Sequence, residues 1–153
     1  MDCRHPGDPT KIRYPNPNDR MTSRTYALSG AVSALIAVAA GAFGAHVLRA
    51  RLPSEMLAAF ETAARYQMYH ALALFIVAWA ATQWPSTLIR LSGWLFVTGA
   101  TLFSGSLYVL ALTGTTWWGA VTPVGGVLLL GGWAALALGL WRRAPSPSFP
   151  EPS

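Results

Sequence analysis

Residues 91–112 read LSGWLFVTGATLFSGSLYVLAL, a run of 22 residues without an Asp, Glu, Lys or Arg. As a helix rising about 1.5 Å per residue it crosses the roughly 30 Å of a bilayer's hydrocarbon. Lipid offers no partner to backbone N–H and C=O groups, so a helix, which satisfies them internally, is the form such a run takes. Residues 26–48, 68–84 and 120–141 are equally free of charge. A charged side chain at mid-bilayer costs about 2.5 to 3.5 kcal/mol on insertion scales, and four charge-free windows in one short chain therefore predict four transmembrane helices.

Composition agrees. Of 153 residues, 53% are hydrophobic and 11% charged, where soluble domains carry about 25% charged. A soluble fold would have to bury all four runs with too little polar surface to cover them. The net charge of +5 comes from arginines flanking the runs, with Lys11 the only lysine. Charge so placed reads as membrane topology and argues against nucleic acid as a partner. The single cysteine, Cys3, excludes an internal disulfide framework and a cysteine metal cluster.

Residues 1–22 carry Pro6, Pro9, Pro15 and Pro17 among polar residues and read as a disordered leader or a mis-called start, Met21 being a second candidate start ahead of Arg24. Ala37-Val38-Ala39 has the small residues of a signal-peptide cleavage site, but the apolar run continues to Leu48, longer than a usual signal core, so the first span is expected to stay. Pro53-Ser54-Glu55 starts a helix, and Leu57, Phe60 and Ala64 at i, i+3 and i+7 make it amphipathic, an interfacial segment running into the second span. Trp84-Pro85-Ser86 ends that span, and Trp117 and Trp118 sit at headgroup depth before the fourth. The domain is thus expected over 23–143, with 144–153 a proline-rich disordered tail. Arg20, Arg24, Arg90, Arg142 and Arg143 fall on one side of a four-span layout, and Arg49, Arg51 and Arg65, offset by Glu55 and Glu61, on the other. The arginine excess places both termini in the cytoplasm.

Small residues recur every four positions as Ala37, Gly41 and Ala45 in the first span and as Gly131, Ala135 and Gly139 in the last. Helices in lipid are held by close backbone approach, which small residues permit, so these are the expected packing or oligomerisation faces. The polar residues His46, Tyr66, Gln67, His70, Ser104, Ser106 and Thr122, with Tyr108, fall in one leaflet under alternating topology and form a candidate polar cluster. The plainest role for His46 and His70 is to hydrogen-bond loops, Tyr66 or Ser104 and lock the bundle end. The alternative is a proton or solute path, since histidine titrates near neutrality. Metal or haem ligation wants more ligands, and no acidic residue or cysteine lies inside a span, so no cofactor is expected. Gly93, Gly99 and Gly105 follow no strand and are no nucleotide fingerprint. No nucleophile, base and orienter stand together, so no enzyme is expected.

The ordered strings GAFGAH at 41–46, FETAARYQMYH at 60–70, GWLF at 93–96, LFSGSLY at 102–108 and TPVGG at 122–126 resemble domain-of-unknown-function family 423, small inner-membrane proteins of the YgdD type. The resemblance covers about 23–143 and brings no activity with it. It implies an integral inner-membrane location, a compact four-helix unit and interest in the matched polar residues. The expectation is an all-α, four-transmembrane-helix bundle with one interfacial amphipathic helix. Its role is structural, or made through helix contacts with another membrane protein or itself; the alternative is a transporter or proton-conducting subunit.

Overall fold

The computed structural model describes residues 17–142, and side chains from Met21 onward. Most of the leader and the tail beyond Arg142 lie outside the described residues. Four long helices follow in order: α1 (Pro17–His46), α2 (Ser54–Gln83), α3 (Thr87–Thr113) and α4 (Thr122–Trp141). Short 3-10 turns, Leu48–Ala50 and Thr116–Ala120, fill the first and last connections. No strand occurs among the described residues. Helix α1 begins at Pro17, inside the segment expected to be a leader.

Three segments are long and apolar enough to cross a membrane: Met21–Ala50, Thr87–Thr113 and Thr116–Trp141. Helix α2 is not one of them, because Glu55, Glu61, Arg65, Gln67 and His70 dilute its first half. The interfacial helix and second span expected from the sequence are one uninterrupted helix. No Gly or Pro lies between Ser54 and Gln83 to break the backbone ladder. The breaks that do occur have local causes. Pro53 precedes α2 at φ −55°, Ser86 accepts from the Ile89 N–H at 3.3 Å as the N-cap of α3, and Gly114 takes φ 70° to end α3, a conformation glycine adopts without a Cβ penalty.

Each helix packs antiparallel on its neighbour in sequence, and α1 and α4 flank the α2–α3 pair without broad contact with each other. The larger core cluster runs from Tyr26 through Leu74, Val77 and Ile89 to Phe96, Leu129 and Leu136. A separate smaller one gathers Leu48, Phe60 and Ala111 near the α1–α2 connection. Between the two clusters the interior turns polar, with Gln67 and Ser104 buried there.

Candidate functional site

Glycines decide how closely the helices approach. On α4, a Cβ at Gly125 would run into the backbone of Phe103, and one at Gly132 would stand 2.7 Å from the Phe96 ring. Gly139 is buried against Ile89 and Ala135 is buried beside it, while Gly131 stands at the edge with Leu95 at ordinary contact distance.

On α1 the expected face is out of phase. Ala37 is buried, but Ala45 is exposed and a Cβ at Gly41 would meet nothing within 4 Å. The positions that close on α2 are Gly30, where an added Cβ would stand 2.9 Å from the Ala71 carbonyl, and Gly44, where one would stand 3.2 Å from the Phe60 ring, with Ala37 midway. Spacing of seven residues stays on one side of a helix, whereas spacing of four drifts by about 40° per step. Gly41 instead lines a shallow hollow beside Glu61 and Arg65.

The polar residues separate into distinct groups, not one cluster. Gln67 sits at mid-length of α2 and ties three helices together. Its Nε2 donates to the Ser33 carbonyl on α1 at 3.2 Å, and its Oε1 accepts from the Tyr108 hydroxyl on α3 at 2.8 Å. Four helix residues away in sequence from Tyr108, Ser104 is buried with its Oγ bonded to nothing.

His70 forms the second group. Its Nδ1 lies 2.7 Å from the Tyr66 carbonyl, which can only accept, so Nδ1 carries the proton. Nε2 then presents a lone pair and accepts from the Trp133 indole N–H at 3.3 Å. The imidazole is neutral, with both nitrogens engaged within the protein. The Phe96 ring packs 5.6 Å from it, centroid to centroid. Tyr66 is partly exposed and tilts over Phe103 at 4.9 Å. In the third group, Ser106 Oγ and Thr122 Oγ1 lie 2.8 Å apart and join α3 to the start of α4.

His46 joins none of these groups. It ends α1 in an exposed position, two residues beyond Gly44 and so opposite the start of α2. Some twelve residues of α2 at about 1.5 Å each place it roughly 18 Å from His70 along the bundle. A shared His46–His70 site is not formed, because the two residues lie at unequal distances from the turn that joins their helices. Among the described residues no group of three or more His, Cys, Asp or Glu comes together. Sequence reasoning missed Trp133, Ser33 and Tyr26. For Trp133 a signal existed, since an indole N–H inside a span needs an acceptor. Tyr26 donates to the Arg90 carbonyl at 2.8 Å and lays its ring on Gly93.

Two grooves open beside these groups. One, of about 530 Å³, lies between α1 and α3 over Gln67, with Ser104, Gly105 and Tyr108 in its wall. The other, of about 620 Å³, lies between α2 and α4 and is lined by Tyr66, His70, Phe103 and Trp133.

The family described as "Protein of unknown function (DUF423)" matches residues 40–126, a stretch holding every polar site residue from His46 to Thr122. The chain is 41% identical over 116 residues to the UPF0382 membrane protein YwdK of Bacillus subtilis, covering 75% of this chain and 94% of that protein. It is 43% identical over 122 residues to the UPF0382 inner membrane protein YgdD of Escherichia coli K12, covering 80% and 93%. A UPF0382 membrane protein of Staphylococcus saprophyticus is 42% identical over 119 residues, covering 78% and 98%. No solved structure matches the chain significantly.

Proposed function

This chain belongs to the DUF423 family of membrane proteins, and on that premise we propose that it is a non-enzymatic four-span protein. It acts as a compact helical unit, through contacts with lipid and with another membrane protein or a second copy. All four helices cross, α2 included, and both termini face the cytoplasm. The first half of α2 lies at the outer interface, and the protein resides in the inner, or plasma, membrane.

The observation that carries the reading is the state of His70. A proton carrier needs a nitrogen free to exchange its proton, and a metal ligand needs a free lone pair. His70 offers neither, because the Tyr66 carbonyl takes the proton on Nδ1 and Trp133 occupies the lone pair on Nε2. Gln67, Tyr108, Ser106 and Thr122 likewise spend their polar atoms on bonds between helices. Such bonds fasten helices that no hydrophobic force drives together within lipid. In favour of a spanning α2 are its 30 residues, long enough for the bilayer, and its place between α1 and α3, whose apolar lengths both match the hydrocarbon. The arginines near the termini and at Arg90 support the orientation.

Two measurements test this. Reporter fusions after Arg142 report a cytoplasmic location and fusions near Ser54 an external one; the same compartment for both means that one of α2, α3 and α4 does not cross, and the reversed pattern inverts the topology. Protein reconstituted into liposomes with a pH gradient dissipates it no faster than empty liposomes. Flux that disappears in a folded His70→Gln variant establishes a proton path in place of the structural role.

A further inference from the structure

The end of the bundle where α1 and α3 start and α4 stops carries charge of one sign. Arg24, Arg90 and Arg142 stand there, while the two acidic residues with described side chains, Glu55 and Glu61, lie at the opposite end, near the start of α2. No carboxylate among the described side chains can therefore pair with these arginines. Arg90 differs from the other two in what lies below it.

Arg90 is the fourth residue of α3 and is exposed. Its carbonyl accepts from the Tyr26 hydroxyl on α1 at 2.8 Å, and its guanidinium is near enough to that hydroxyl for its charge to act there. The side chain thus belongs to the α1 side of α3. Val97 follows seven residues later, a spacing that stays on one side of a helix, and Val97, Thr101 and Tyr108 line the α1–α3 groove of about 530 Å³. Arg90 therefore heads the groove, about 10 Å along the helix from Val97, and the groove continues for about 16 Å from Val97 to Tyr108. Between head and groove, the exposed Trp94 ring stands edge to face with Tyr26, 6.1 Å between centroids, at the depth of an interfacial aromatic.

The groove exists because α1 touches α3 chiefly at Tyr26 and otherwise leans on α2. It opens sideways toward lipid, and Leu28, Val32 and Ile36 make its α1 wall apolar. An apolar channel of that length accepts a hydrocarbon chain, and a guanidinium at its head accepts a phosphate through paired charge-assisted hydrogen bonds. Charge decides between head groups. A zwitterionic lipid would bring an ammonium to an end of the bundle where no carboxylate is described, whereas an anionic one brings only the charge that the arginines attract. Basic sites between membrane helices on the cytoplasmic side bind anionic head groups in this manner. We propose that Arg90 and the α1–α3 groove form a site for one anionic phospholipid, its phosphate on the Arg90 guanidinium and one acyl chain along Val97 and Thr101. This rests on the reading above that the unit acts through contacts with lipid, and the cytoplasmic leaflet as its source follows from the orientation proposed there.

The test titrates the detergent-purified full chain with dioleoyl-phosphatidylglycerol or dioleoyl-phosphatidylethanolamine and counts bound lipids by native mass spectrometry. The wild type holds one phosphatidylglycerol per chain at concentrations where it holds no phosphatidylethanolamine. Arg90→Gln weakens that binding about tenfold with an unchanged melting temperature, since the exposed guanidinium has no described carboxylate to lose. Arg90→Lys, which keeps the charge without the fork, falls between the two. Thr101→Phe fills the groove at the loss of one hydroxyl bond within its own helix, to the Val97 carbonyl, and abolishes the binding. Arg65→Gln, which removes an arginine from the other end of the bundle, binds as the wild type does. Equal binding of the two lipids overturns the proposal, as does wild-type binding by Arg90→Gln or by Thr101→Phe, or a loss in Arg65→Gln equal to that in Arg90→Gln. The reporter fusions decide the orientation separately: a reversed topology overturns the choice of leaflet and leaves this binding unchanged, whereas absent binding sinks the site and leaves the topology standing.

Discussion

Helices α1 and α4 look alike on paper: both apolar, both rich in glycine and alanine, both at the flank of the α2–α3 pair. They seat differently. Helix α4 lays Gly125 on the α3 backbone itself and keeps Leu129, Gly132, Ala135, Leu136 and Gly139 in the same contact strip. Across the groove to α2, Trp133 still reaches His70 with its indole N–H. Helix α1 closes on α2 at Gly30 and Gly44 and meets α3 through Tyr26, and no group of α1 hydrogen-bonds to the Ser104 hydroxyl. The contrast teaches that the number of small residues does not set how a membrane helix seats. Their phase does, together with the reach of the few polar side chains that cross to a helix beyond the nearest one.

The comparison breaks first at Gly125. Leucine there must displace the Phe103 backbone, and overpacking of a rigid contact costs about 3 kcal/mol or more, so Gly125→Leu loses folded yield in mild detergent. A melting temperature equal to the wild type's would mean that α4 does not seat on α3 this way. Gly30→Leu comes next. Its Cβ would stand 2.9 Å from the Ala71 carbonyl, but α1 has open space on its α3 side into which to shift, so the expected loss is about 1 to 3 kcal/mol in chemical denaturation. A loss as large as that of Gly125→Leu would make the two flanks equivalent.

Smaller effects sharpen the account of the polar groups. His70→Leu strands the Trp133 N–H and should cost about 1 to 2 kcal/mol, the upper range for polar contacts between membrane helices. His70→Gln can still donate to the Tyr66 carbonyl or accept from Trp133 and should recover at least half of that loss. Equal losses for both variants would show that ring packing on Phe96, not hydrogen bonding, holds the site. The smallest effect is expected at Gly41→Leu, within about 0.5 kcal/mol, because nothing lies within 4 Å of the added Cβ. A Gly41 variant that loses dimers while keeping its monomer fold would turn the exposed α1 face into an interface between copies.

The Gly41 expectation also shows where sequence reading stops. Ala37, Gly41 and Ala45 satisfy a small-residue pattern as well as Gly131, Ala135 and Gly139 do, yet on α1 Ala37 alone of the three is buried, while on α4 Ala135 and Gly139 both are. One residue of phase turns a helix by about 100°, and no pattern of small residues states which side a partner occupies. The polar residues behave alike. Gln67, His70, Ser104, Ser106 and Thr122 were legible as a set, since a polar side chain within an apolar helix stands out. Their sorting into three groups was not, and neither was the stranding of His46.

The sequence by itself determined that the chain is helical and made for a membrane, because charge-free runs of about 20 residues have one way to satisfy their backbone in lipid. It also determined the break on either side of α2, through Pro53 before its start and Pro85-Ser86 after its end. Only the tertiary structure decided which polar atoms meet and which one, Ser104 Oγ, is left without a partner. Hydrogen bonds act over about 3 Å, and whether two groups come that close depends on the rotation and tilt of whole helices, quantities that no single stretch of sequence encodes.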